Sequence, residues 1–222
     1  MKICCISDTH GMHRAVKIPS CDLLIHAGDI TNIGELEQLE DFNNWIAELG
    51  ISTIAIPGNH DRSIPVYHEA REILTNCNLL IDSEVIFNNL KIYGSPWTPA
   101  FGYNWAYNRE RGTDISKAWE AIPDDTDILI THGPPFGILD YVPRTNNYQG
   151  CKDLLKRVAE IRPKLHIFGH LHNNHGGKRL DIKERPNGVF KPQAGINTRF
   201  INATTCNEAY EPINSPIIVE LD

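Results

Sequence analysis

The chain has 222 residues, 41% hydrophobic and 22% charged, a balance that builds one substantial core and excludes a disordered polymer. Its formal net charge of -7 argues against duplex nucleic acid as a partner, because a polyanion selects a basic face. No apolar run approaches the length of a membrane span, and no basic-then-apolar export segment opens the chain, so a single cytoplasmic domain over 1–222 is expected, with no membrane partner.

In chain order, Ile3 to Ile6 is a short apolar run of strand character, ending at Ser7-Asp8-Thr9-His10-Gly11. Cys4 and Cys5 lie within it and face opposite sides of such a strand. With Cys21, Cys77, Cys151 and Cys206 they follow no framework spacing, and all six are expected to be free thiols. Leu23 to Ala27 predicts a second strand, ending at Gly28-Asp29. Leu36, Leu39, Phe42, Ile46 and Leu49 recur at helical spacing, with Gly50 placed as the C-cap. Thr53 to Ile56 predicts a third strand, ending at Pro57-Gly58-Asn59-His60-Asp61.

Val85 to Phe87 and Lys91 to Tyr93 flank Asn88-Asn89, a hairpin signal. Residues 96–112 form an aromatic loop with Trp97, Phe101, Tyr103, Trp105 and Tyr107, and Asp114 is expected to cap a helix running to Ala121. Asp127 to Ile130 predicts a strand ending at Thr131-His132-Gly133-Pro134-Pro135. A helix is expected over Lys152 to Ile161, then a strand over Pro163 to Phe168 ending at Gly169-His170-Leu171-His172. Residues 173–197 are polar and turn-rich, a long loop or exposed hairpin, before strands over Arg199 to Ala203 and Ile217 to Leu221.

Such alternation of apolar runs and helical stretches describes a layered α/β or α+β protein. Five of the runs end in polar clusters, and loops leaving the carboxyl ends of strands converge on one edge of an open sheet. That convergence gathers Asp8, His10, Asp29, Asn59, His60, His132, His170 and His172. Carboxylate, amide and imidazole suit borderline divalent cations, and eight such groups exceed one tetrahedral site. A dinuclear centre is therefore expected. A lone Asp or His after a strand is ordinarily a turn residue or cap. Glycines beside these clusters (Gly11, Gly28, Gly58, Gly133 and Gly169) allow the close backbone approach that a crowded metal site needs.

Asp8-x-His10, Gly28-Asp29, Gly58-Asn59-His60-Asp61, His132-Gly133 and Gly169-His170-x-His172 resemble, in order, the signature of calcineurin-like metallophosphoesterases. Tyr93-Gly94-Ser95-Pro96, Thr131-His132-Gly133-Pro134-Pro135 and Ile201-Asn202-Ala203-Thr204-Thr205-Cys206 resemble the metallophosphoesterase-domain-containing subfamily, related to class III cyclic nucleotide phosphodiesterases. The resemblance implies an α/β (α+β) fold, a four-layer αββα sandwich of mixed sheets flanked by helices. It also implies that Asp8, His10, Asp29 and His172 hold one metal, and that Asp29, Asn59, His132 and His170 hold another, with Asp29 bridging. The subfamily's animal members carry glycine where this chain has His170, so the fuller ligand set implies fuller two-metal activity here.

The function implied is a metal-dependent phosphodiesterase, in which a hydroxide bridging two divalent cations attacks phosphorus in line. Manganese is the foremost expectation, with iron, zinc, cobalt or magnesium as alternatives. His60 is expected to stabilise or protonate the leaving group, with Asp61 orienting its imidazole. The partner expected is a small phosphodiester such as a cyclic nucleotide, met by a monomer or homodimer. The aromatic loop either stacks a nucleobase or packs in the core. Arg109 and Arg111 either reach a phosphate or lie in solvent. Alternatives are a phosphomonoesterase, or a binding scaffold without catalysis. No arginine follows Gly28-Asp29 closely, unlike the serine/threonine phosphatases of the superfamily.

Overall fold

The structure, a computed structural model, describes residues 1–184, 190–194 and 197–221. In chain order its strands are β1 (Lys2–Ile6), β2 (Leu23–Ala27), β3 (Thr53–Ile56), β4 (Asn78–Leu79), β5 (Ser83–Phe87), β6 (Leu90–Ser95), β7 (Thr98–Pro99) and β8 (Asn108–Arg109). These are followed by β9 (Ile128–Thr131), β10 (Tyr141–Val142), β11 (Asn147–Tyr148), β12 (Leu165–Phe168), β13 (Gly176–Glu184), β14 (Phe190–Ala194), β15 (Thr198–Asn202) and β16 (Ile217–Glu220). The helices are α1 (Leu36–Leu49), α2 (His68–Ile73), α3 (Thr113–Glu120) and α4 (Lys152–Ile161).

Of the two large sheets, one has the order β16-β1-β2-β3-β4 and the other β14-β13-β15-β12-β9-β6-β5, while β7-β8 and β10-β11 are separate two-stranded ribbons. Parallel pairing runs through β1-β2-β3-β4 and through β6-β9-β12-β15, with antiparallel strands at the flanks. Strands covered on both faces read as unbroken apolar runs, which is why the segments Ile3 to Ile6 and Ile128 to Ile130 show no alternation. Between the sheets, Ile3, Cys5, Ile25 and Ile54 meet Ile92, Ile130, Ile167 and Ile201. On the far face of the first sheet, Cys4, Ile6 and Leu24 pack on Leu39, Phe42 and Ile46 of α1. On the far face of the second, Leu129, Phe168 and Phe200 pack on Trp119 of α3 and Leu155 of α4. The result is the expected α-β-β-α layering.

The expected termini hold in part. Gly50 ends α1 at φ 61, and its N–H reaches the carbonyls of Ile46 and Ala47, the left-handed cap that glycine makes without strain. Asn88 and Asn89, at φ 48 and 61, form the two-residue turn joining β5 to β6. Leu36 opens α1 as its spacing predicts, though 37% exposed, and Trp45 joins the buried stripe. One expectation needs correction. Asp114 is no N-cap: α3 begins at Thr113, and the Asp114 carboxylate turns back to accept from the Glu110 N–H at 3.2 Å.

Short elements escaped the sequence reading. Helix α2, strand β4 and the β7-β8 ribbon inside the aromatic loop are each too brief to show periodicity. Within 173–197 the hairpin alternative holds for β13 and β14, which extend the second sheet beyond β15; 185–189 and 195–196 lie outside the described residues. All six cysteines are free. Among the described residues no helix is long and apolar enough to cross a membrane.

Candidate metal centre

The carboxyl ends of the parallel strands in both sheets open on one rim. A bridge between Ser7 and Thr204, and the Thr205 N–H donating to the Ser7 carbonyl at 2.8 Å, tie the sheets together there. Asp8 and His10 leave β1, Asp29 leaves β2, Asn59 and His60 leave β3, His132 leaves β9, and His170 and His172 leave β12. All of these expected residues meet.

His172 Nε2 lies 3.5 Å from Asp8 Oδ1 and 3.3 Å from His10 Nε2. His10 Nε2 stands 3.9 Å from Asp29 Oδ2, and His132 Nε2 approaches the same oxygen to 3.2 Å. Asn59 Oδ1 is 3.0 Å from His132 Nε2, and the rings of His132 and His170 are 5.0 Å apart. Ligand atoms within 4.8 Å of one another define three sets: Asp8, His10 and His172; Asp29, His132 and His170; and His10, Asp29 and His60. Asp29 belongs to two of these sets.

Backbone geometry shows how tightly the rim is built. Asp8, His10, Asp29 and His170 adopt φ of 54, 45, 57 and 68, a left-handed conformation costing side-chain-bearing residues about 1 kcal/mol or more each. Local hydrogen bonds hold them: the Asp8 N–H donates to the Gly28 carbonyl at 2.9 Å, and the His170 N–H donates to the Asp8 carboxylate at 3.0 Å. A methyl group on Gly58 would overlap the Asp29 carboxylate, and one on Gly169 would overlap that of Asp8. Glycine at both places is a consequence of this crowding.

Two imidazoles are fixed in tautomer by backbone oxygens. A carbonyl only accepts, so His132 Nδ1 donates to Ala27 at 2.9 Å and His172 Nδ1 donates to Asn207 at 2.9 Å. Each therefore turns Nε2 towards the carboxylates, the arrangement that ligating histidines use. With carboxylate, amide and imidazole donors and no thiolate, the set fits borderline divalent cations.

Charge follows the same geometry. Burial alone would raise Asp29, but the charge and hydrogen bond of His132, with His10, hold its carboxyl below the usual range. Asp8 is likewise held down against burial, chiefly by His172. Burial drives His10 down to about 4, and burial with neighbouring His132 drives His170 down to about 3. For His132 burial acts downward, but the charge and hydrogen bond of Asp29 raise it to about 9.

Asp61 departs from expectation. Its carboxylate accepts from the N–H groups of Gly58 at 2.7 Å, Thr31 at 2.8 Å and Ile30 at 3.1 Å, and from the Thr31 hydroxyl at 2.9 Å. It staples the loop after β2 to the loop after β3 and does not orient His60, whose Nδ1 donates to the Asn32 carbonyl. Arg109 and Arg111 are also corrected: Arg109 covers the Trp97 ring at 4.0 Å, and Arg111 donates to the carbonyls of Gln149 and Gly150. Buried His26 and His166 brace the rim from behind, each 2.9 or 2.8 Å from a threonine hydroxyl, Thr9 and Thr131.

A cleft of about 310 Å³ lies over the centre, lined by His60, Phe101, Trp105, Arg144 and Tyr210 beside the candidate ligands. Sequence reasoning missed Arg144 and Tyr210. Neither sits in a strand-end cluster, and only hydrogen bonding across the 207–211 loop places the latter.

Paired donor sets at one edge of a four-layer sandwich define a metallophosphoesterase. The match of the calcineurin-like phosphoesterase family to residues 1–174 agrees, and the chain belongs to that family. Its members use a dinuclear divalent metal centre and hydrolyse phosphoesters. Metallophosphoesterase domain-containing protein 1 of Homo sapiens is 36% identical over 98% of this chain and 70% of its own length. A 3',5'-cyclic-nucleotide phosphodiesterase of Nostoc sp. is 23% identical over 83% of this chain and 69% of its own length. The solved structure of TT1561 of Thermus thermophilus superposes with a TM-score of 0.58 at 13% identity, covering 90% of this chain and 88% of that one.

Proposed function

We propose that this chain is a dinuclear-metal-dependent phosphodiesterase that hydrolyses small phosphodiesters, cyclic nucleotides among them. The observation that carries this reading is the place of Asp29, grouped with His132 and His170 on one side and with His10 on the other. On this reading Asp8, His10, Asp29 and His172 hold one cation, and Asp29, Asn59, His132 and His170 hold the second. When bound, two such cations, with manganese foremost, acidify water and offset the charge of the phosphoryl oxygens.

The protein's own groups do the remainder. His132 and His172 keep their Nδ1 protons on backbone carbonyls, so each Nε2 stays aimed inward. Because His60 donates Nδ1–H to Asn32, Nε2 is the atom that holds and releases the proton a departing oxygen needs. Asp61, fully buried, positions the loops that carry Asp29 and His60.

A diester is favoured by the walls of the cleft, which carry aromatic rings and, beside the carboxylate of Glu208, the single guanidinium of Arg144. One negative charge flanked by two organic substituents suits such walls better than a dianionic monoester. The Nostoc relative's name points the same way. A cytoplasmic setting belongs to this reading, supported by six free thiols.

The test is hydrolysis of a chromogenic monoester and diester with added manganese, iron, zinc, cobalt and magnesium, followed by 2',3'- and 3',5'-cyclic nucleotides. Strong diester preference is expected. Faster monoester turnover would make the chain a phosphomonoesterase, and no turnover with any metal would make it a binding scaffold.

A further inference from the structure

We propose that Trp105 and Tyr210 form an aromatic clip that selects substrates by a planar group on the leaving alcohol. This rests on the reading of His60 as the group beside that alcohol's oxygen. Both rings flank the His60 imidazole, with centroids 4.4 Å away for Trp105 and 5.9 Å away for Tyr210. Phe101 stacks with Trp105 at 6.1 Å and 27°, so two rings of similar tilt line that wall.

The position of Tyr210 is built. Its φ of 61 is a strained conformation for a bulky side chain. Asn207 enforces it: the side-chain oxygen accepts from the N–H groups of Ala209 at 2.9 Å and Glu211 at 3.0 Å, and Nδ2 donates to Glu211 Oε2 at 2.8 Å. The Asn207 carbonyl is also the acceptor that fixes His172, so one residue sets both a candidate ligand and the ring above it. Tyr210 then lies 4.7 Å from the His10 ring and 5.3 Å from that of His172.

Core packing does not account for these rings. The aromatic loop divides its residues: Trp97 packs on Tyr107 at 5.5 Å and donates Nε1–H to Asp82 at 2.7 Å. Tyr107 is buried, whereas Trp105 is half-buried and Tyr210 43% exposed where they line the cleft. Exposed aromatic faces converging on a polar centre suit a flat π-system, whose stacking is insensitive to its exact hydrogen-bonding edge.

The experiment compares methyl benzylphosphonate with methyl cyclohexylmethylphosphonate, both monoanionic, by calorimetric titration of the manganese-loaded full chain. In both probes a methylene replaces the leaving oxygen, and the substituents match in size but differ in planarity. The wild type and Tyr210→Phe are expected to bind the benzyl compound about tenfold more tightly, the range of one stacking contact. Trp105→Ala, Tyr210→Ala and Tyr210→Leu are expected to bring the two probes within about twofold of each other. Equal binding by the wild type, preference retained in the alanine and leucine variants, or loss in Tyr210→Phe would overturn the clip. Turnover of bis(4-nitrophenyl) phosphate in the same samples separates the two readings. Preference without turnover removes the phosphodiesterase reading and leaves the clip; turnover without preference does the reverse.

Discussion

Asp29 and His132 meet at 3.2 Å, carboxylate to Nε2, although they leave strands in different sheets. His132 is anchored across the same gap, since its Nδ1 donates to Ala27 at the end of β2. The contact therefore couples the packing of two sheets to the charge of the centre, and it has a thermodynamic consequence.

Asp29 keeps the His132 imidazole protonated up to about 9. A divalent cation needs the Nε2 lone pair, so binding should expel about one proton from His132 at neutral pH. Apparent affinity for manganese should rise by up to tenfold per pH unit from 7 towards 9, then level off. Calorimetry in buffers of different ionisation enthalpy reads the proton count. A count of zero at pH 7 would mean that this nitrogen does not ligate.

His60→Ala should retain both cations and lose about 10²–10⁴-fold in kcat, the usual worth of a positioned acid or base. Metal content and steady-state kinetics on one preparation check both halves. Wild-type turnover would remove His60 from the chemistry and reduce it to a residue packed beside Trp105.

The convergence of Asp8, Asp29, His132 and His170 was legible in the sequence because each follows a parallel strand, and such strands announce themselves as unbroken apolar runs. Which atom each side chain presents was not legible. Asp61 adjoins His60 in the chain, yet its carboxylate turns back to Gly58 and Thr31, because turn geometry and not adjacency directs a side chain. Arg109 and Arg111 looked free to reach a phosphate, but each finds a partner distant in sequence, a ring or a carbonyl. Tyr210 was invisible for a related reason: hydrogen bonds of Asn207 place it, and an asparagine in a polar loop carries no periodic signal. The four layers were readable from pattern and resemblance, whereas α2 and β4 were too short to leave one.

Histidine burial should make the fold acid-sensitive outside the candidate ligand set as well. His166 lies in the core of the second sheet, where burial depresses it from 6.5 to about 3. Its folded pKa lies below its unfolded one, so below pH 6.5 the unfolded chain takes up a proton that the folded chain refuses. Stability should fall by about 1.4 kcal/mol per pH unit for this group as pH drops from 6.5 towards 3. His166→Gln keeps a donor for Thr131 and removes the titration. Denaturant unfolding between about pH 6.5 and 4 should show a slope shallower by about that amount, and an unchanged slope would refute the assignment.

The most direct test of the centre is anomalous diffraction at the manganese edge from crystals of the full chain grown with that metal. Two peaks about 3.5–4 Å apart are expected, with the Asp29 carboxylate between them. One peak, or two that leave Asp29 outside the pair, would contradict the account.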